Sequence, residues 1–170
     1  MKMPPIEKVF EAYSAIADGR IEIDPNENKA TVTSSDRSKT YTIIWEDHHY
    51  ASDDNATYWA GYPGYPVIAV LMKQGVLPYD GELAEQLKSV NWKELNQKYK
   101  RKYEKAAKAV MEEKGIDASA AYASAEQVLN ILQSCDLSVG RAKRKRHDHT
   151  KTNVLSCRQQ RPAFTYLSSG

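Results

Sequence analysis

The chain has 170 residues, of which 41% are hydrophobic and 27% charged, a composition that suits one folded domain and excludes an intrinsically disordered chain. Its net charge of +2 conceals a division: residues 138–170 hold eight Lys/Arg and one Asp, whereas residues 1–137 hold 16 Lys/Arg and 21 Asp/Glu. A body at −5 joined to a tail at +7 argues against broad nucleic-acid binding by the body and confines that property to the tail.

Pro4 and Pro5 suit the opening of a first helix. Ile6, Val9, Phe10, Tyr13, Ile16 and Ala17 recur at spacings of three and four, and Gly19 ends the pattern. The period then changes to two. Ile21 and Ile23 alternate with polar residues, Pro25-Asn26-Glu27-Asn28 turns, and Ala30 and Val32 alternate again. After the turn Ser34-Ser35-Asp36-Arg37, the residues Tyr41, Ile43 and Trp45 take one face of a third strand. This pattern predicts a three-stranded antiparallel meander. Residues 46–64 are too long for a structureless loop, and a short fourth strand is expected within Ala56 to Tyr62.

Helical signals follow. Val67 to Met72 is apolar nearly all round, which predicts a helix buried against the sheet, begun near Pro66 and ended by Gly75. Asp80 caps a short helix through Val90, and Asn91 with Glu94 resembles a capping box for one long helix to Lys114. A last amphipathic helix is expected over residues 118–133. The fold class predicted is therefore α+β: an N-terminal helix, a three- or four-stranded antiparallel meander, then three to four helices packed on one face of the sheet. Residues 1–137 are expected to form one domain, with a compact core over 4–115, and residues 138–170 a basic tail.

The apolar run Val67 to Met72 is far shorter than the roughly 20 residues of a membrane helix. The amino-terminal segment lacks an apolar signal core, so the cytoplasm is expected. Cys135 and Cys157 do not form a disulfide framework, which fits a reducing compartment. No nucleotide-binding glycine loop, nucleophile elbow or His-Glu-x-x-His spacing occurs. Cys135, His147, His149 and Cys157 match no zinc-finger spacing. No catalytic residue, metal ligand or cofactor is assigned.

The most unusual stretch is residues 45–65. Trp45, His48, His49, Asp53, Asp54, Tyr58, Trp59 and Tyr62 form the candidate ligand-binding set, because aromatic rings with polar handles are what pockets and partner surfaces use. Adjacent histidines on a strand point to opposite faces, which argues against a shared metal ion. In the tail, Arg141, Lys143, Arg144, Lys145 and Arg146 can neutralise phosphates without sequence preference. The function expected is a small non-catalytic binding or interaction domain. The alternatives are a small enzyme or metal-dependent hydrolase working from residues 45–65, and a weak nucleic-acid binder working through the tail. The partners expected are an unspecified protein and, through the tail, non-specific nucleic acid, with no membrane.

Overall fold

The computed structural model describes residues 1–143. Helix α1 (Glu7–Ala17) starts just after the two prolines and ends ahead of Gly19, whose φ is +64°. Four antiparallel strands follow: β1 (Ile21–Asp24), β2 (Lys29–Thr33), β3 (Thr40–Glu46) and β4 (His49–Ser52). The register pairs Ile23 with Ala30 and Ala30 with Ile43, so the alternating apolar residues line up across the sheet. Ala30, Val32 and Ile43 are buried, while Ile44, one residue on, is exposed.

After β4 comes a π-helical turn (Ala56–Ala60), then α2 (Tyr65–Lys73), α3 (Gly81–Gln86), α4 (Trp92–Lys98), α5 (Tyr103–Lys114) and α6 (Ala118–Ser134). Strand β5 (Ser138–Arg141) returns to the sheet in parallel with β4, giving the order β1-β2-β3-β4-β5. Helix α2 lies against β1 and β3 and packs along α1. Its residues 66–72 are all buried, as an all-round apolar helix requires. Phe10, Ile43, Ile68 and Leu71 share the core, and Trp45 packs at its margin. Asp80, Asn91 and Asp117 cap α3, α4 and α6 by accepting from Leu83, Glu94 and Ser119 backbone N–H groups. The fold is α+β, with five strands among the described residues.

Four details differ from the sequence reading. The fourth strand is His49–Ser52, made by a two-residue hairpin in which Asp47 takes φ 51°, and Ala56–Ala60 is helical instead. The short helix after Asp80 stops at Gln86, before a chain reversal at Ser89 with φ 62°. The expected long helix is two helices, because Lys100 and Arg101 adopt left-handed conformations, φ 50° and 63°. Tyr99-Lys100-Arg101-Lys102 holds no glycine or proline to mark that break; tertiary packing overrides good helix formers there. Finally, residues 138–141 belong to the sheet, and Ala142 is buried, so the expected tail boundary falls inside ordered structure.

Candidate ligand-binding site

Helix α1 has apolar residues on the predicted face, yet Glu7, Lys8, Glu11 and Ser14 are buried as well. Its polar side is covered too. Ser14 Oγ donates to the Leu87 carbonyl (2.6 Å) and accepts from Trp92 Nε1 (2.7 Å), which fixes the start of α4 across α1. Between α1, α4, the β2–β3 end of the sheet and the π-helical turn lies a cavity of about 870 Å³. That is within the range of small-molecule sites.

The cavity wall is charged. Lys8 Nζ pairs with Glu11 Oε1 at 2.9 Å and sits 4.0 Å from the centre of the Tyr103 ring. Burial opposes the charge on Lys8, but attraction and hydrogen bonding from Glu11 outweigh it and raise the lysine pKa. Asn96 Nδ2 donates to the same Glu11 oxygen at 2.9 Å. Arg20 leaves the α1–β1 junction with 4% of its surface exposed. Its Nη1 donates to the Thr33 carbonyl (2.7 Å) and its Nε to Asp18 Oδ2 (3.3 Å). Asp54, also 4% exposed, accepts through Oδ1 from the backbone N–H groups of Ala56 and Thr57, starting the π-helical turn.

Among the described residues, three buried atoms of this wall make no well-aligned hydrogen bond, Arg20 Nη2, Asp54 Oδ2 and Asn96 Oδ1, although the Tyr65 hydroxyl lies beside the Arg20 guanidinium. Each is buried, and leaving such a group unsatisfied costs about 1–3 kcal/mol. Three around one cavity is a concentration of unused binding capacity, one donor and two acceptors.

Tyrosines complete the wall. Burial is the main cause that raises the pKa of Tyr41, Tyr62 and Tyr65; nearby carboxylates add to it, while Lys8 opposes it at Tyr62 and the Arg20 guanidinium opposes it at Tyr65. All three therefore present neutral hydroxyls at neutral pH. At the mouth, Trp59 is 65% exposed, and the rim carries the exposed cations Lys39, Lys100 and Arg101. Lys93, by contrast, is paired with Asp36 Oδ2 at 2.6 Å and also donates to Ser38 Oγ.

Of the candidate set in residues 45–65, Asp54, Trp59 and Tyr62 line the cavity. The others do not. His49 is exposed and bonds Ser138 Oγ through Nδ1 (2.8 Å), while His48 is exposed beside the hairpin turn. Asp53 Oδ1 accepts from the Thr42 backbone N–H, and Trp45 stacks on Tyr50 at 6.1 Å. Tyr58 lies 5.2 Å beneath the Arg141 guanidinium, with Trp59 at 5.6 Å from the same group. Arg141, expected as a phosphate ligand in a tail, thus clasps the π-helical turn and donates through Nε to the Tyr58 carbonyl. Lys143 is exposed, and Arg144, Lys145 and Arg146 lie outside the described residues.

Sequence reasoning missed Lys8, Glu11, Arg20, Tyr41, Asn96 and Tyr103 as site residues. Lys8 and Glu11 look like solvated positions of an amphipathic helix, and nothing local announces that α4 and the α4–α5 joint will cover them. Among the described residues, no cluster of three or more His, Cys, Asp or Glu could hold a metal ion. Nor is any described helix long and apolar enough to cross a membrane.

No curated protein and no solved structure is significantly similar to the chain. Residues 1–138, which include every residue of the cavity wall, match the model of a family described as uncharacterised conserved protein UCP014422; the chain belongs to that family.

Proposed function

We propose that this domain is a non-catalytic receptor for a small polar molecule, held in the cavity between α1, α4 and the π-helical turn. The observation that carries the reading is the set of three buried, unpartnered polar atoms on Arg20, Asp54 and Asn96 around one cavity. Burying charges without an apolar return is costly in a domain whose total stability is about 5–15 kcal/mol. A ligand that completes their hydrogen bonds offsets that cost. The enzymatic alternative required His48 or His49 to meet Asp53 or Asp54 in one concavity, and of these only Asp54 lines it. The setting that fits this reading is the cytoplasm, where an unpaired thiol such as Cys135 stays reduced.

The test is equilibrium dialysis of the full chain against a mixture of amino acids, nucleotides, sugar phosphates, dicarboxylates and neutral sugars, with retained compounds identified by mass. Wild type should retain at least one compound, and Ala60→Trp, which adds bulk to the cavity wall, should lose it. Retention of nothing by wild type, or equal retention by both proteins, overturns the reading.

A further inference from the structure

Charge is not spread evenly over the cavity. Inside, the cations are paired: Lys8 with Glu11 and Arg20 with Asp18. At the mouth, where Lys93 pairs with Asp36, three others are not. Lys39, Lys100 and Arg101 are exposed, and among the described residues no carboxylate lies within salt-bridge distance of them. Three uncompensated cations at one rim attract a group of more than one negative charge. A phosphate monoester carries roughly −1.5 to −2 at neutral pH, and an arginine can grip it through two parallel hydrogen bonds. A single carboxylate would leave the rim with surplus positive charge.

The interior asks for something different. Arg20 Nη2 needs an acceptor, while Asp54 Oδ2 and Asn96 Oδ1 need donors. Hydroxyl groups, and the polar edge of a heterocycle, supply both. These atoms have almost no accessible surface, so binding through them requires a side-chain rotation that turns them into the cavity. The penalty of leaving them unsatisfied, about 1–3 kcal/mol each, favours that rotation once a partner is present.

We infer that the ligand is a small phosphate monoester, bound with its hydroxyl- or amino-bearing end against Arg20, Asp54 and Asn96 and its phosphate at Lys39, Lys100 and Arg101. This rests on the receptor reading above. The two sources of such chemistry are sugar phosphates and mononucleotides. Trp59 at the mouth offers a flat surface for a base, worth about 1–3 kcal/mol if stacked, and that contact separates the two.

The experiment is isothermal titration calorimetry of the full chain with ribose 5-phosphate and GMP. Ribose, guanosine and inorganic phosphate serve as controls. At least one monoester should bind ten-fold or more tighter than both its dephosphorylated form and inorganic phosphate. Lys100→Glu with Arg101→Glu should remove that preference, bringing monoester and dephosphorylated affinities together. Asp54→Asn should weaken both forms alike. Lys39→Glu, at a separate loop, provides the same test if the double variant is not folded by circular dichroism. Preference for GMP over ribose 5-phosphate that vanishes in Trp59→Ala assigns a mononucleotide; its absence assigns a sugar phosphate. Three results overturn the inference: dephosphorylated compounds binding as tightly as monoesters, a single-stranded oligonucleotide binding more tightly than GMP through the same rim, or neither monoester binding. If the first or last occurs while dialysis still finds another compound lost in Ala60→Trp, the receptor reading stands and only the phosphate assignment fails.

Discussion

Gly64 is a glycine because of Asp54. A Cβ built on Gly64 would overlap Asp54 Oδ1 and come within 2.8 Å of its Cγ. The backbone of Gly64, with φ −68° and ψ 168°, is open to any residue, so the constraint is one of close approach rather than conformation. Gly64 also donates its N–H to Thr57 Oγ1 at 3.0 Å, which seats it against the π-helical turn. The pair couples the start of α2 to the one wall carboxylate whose outer oxygen has no partner.

Gly64→Ala should therefore cost about 1–3 kcal/mol, the usual penalty for overpacking a tight site. Gly81→Ala is the control. A Cβ there meets only an ordinary contact, 3.6 Å from a Tyr79 ring carbon, and alanine favours the helix. Urea unfolding of both variants decides the point, and equal midpoints would sink the packing argument.

Leu71→Ala, at a residue 1% exposed within the α2 core, should lose about 2–5 kcal/mol. A loss under about 0.5 kcal/mol in the same assay is what a surface position gives, and it would refute the placement of α2.

The break between α4 and α5 makes a prediction of opposite sign. Left-handed conformation costs a non-glycine residue roughly 1–2 kcal/mol, and Arg101 holds φ 63°. Arg101→Gly should leave stability unchanged or raise it. Lys108→Gly, inside α5 and exposed, should lower it by roughly 0.5–1 kcal/mol. A comparable loss in both variants would mean that the chain runs through the break as continuous helix.

Stability should fall in alkaline solution, in part through Tyr122. Burial first, and then the nearby Glu7 carboxylate, push its pKa up to about 12, and its hydroxyl donates to Glu7 Oε1 at 3.3 Å. The folded chain thus holds this proton to higher pH than the unfolded chain, whose tyrosine ionises near pH ~10. The stabilisation is complete below pH ~10 and is lost as pH rises toward 12. Tyr122→Phe should show a shallower decline across that window by denaturant titration, and an identical slope would count against the assignment.

Much of the framework was legible because its signals are local. The alternation of Ile21, Ile23, Ala30, Val32, Tyr41 and Ile43 gave three strands, and the unbroken run from Val67 to Met72 marked α2. The hairpin at Asp47-His48 was not, since its strand of four residues, His49–Ser52, is too short for a period to show. The site was only half visible. Clustered aromatics drew attention to Asp54, Trp59 and Tyr62, but the same cluster implicated His48 and His49, which the hairpin carries away from the cavity. Lys8, Arg20, Asn96 and Tyr103 meet only because Trp92 is anchored on Ser14 and the chain breaks at Lys100. That is tertiary information, with no short-range pattern to betray it.

The parallel pairing of β5 with β4 sets an order of assembly. His49 and Ser138 are partners across the sheet, and every described helix after α1 lies between them in the chain. The cavity wall is complete once Tyr103 has been made, whereas the sheet waits for the segment beyond Leu137. During synthesis, then, the pocket can form on a body whose β4 edge is still open, a template for pairing with another chain. Long-range closure of this kind is also slow. Pulse proteolysis of released chains truncated after residues 137 and 143 would read the difference, with the shorter chain cut faster. A ligand already seated in the pocket would hold α1 against α4 through that interval, acting on maturation of the nascent chain as well as on the finished domain.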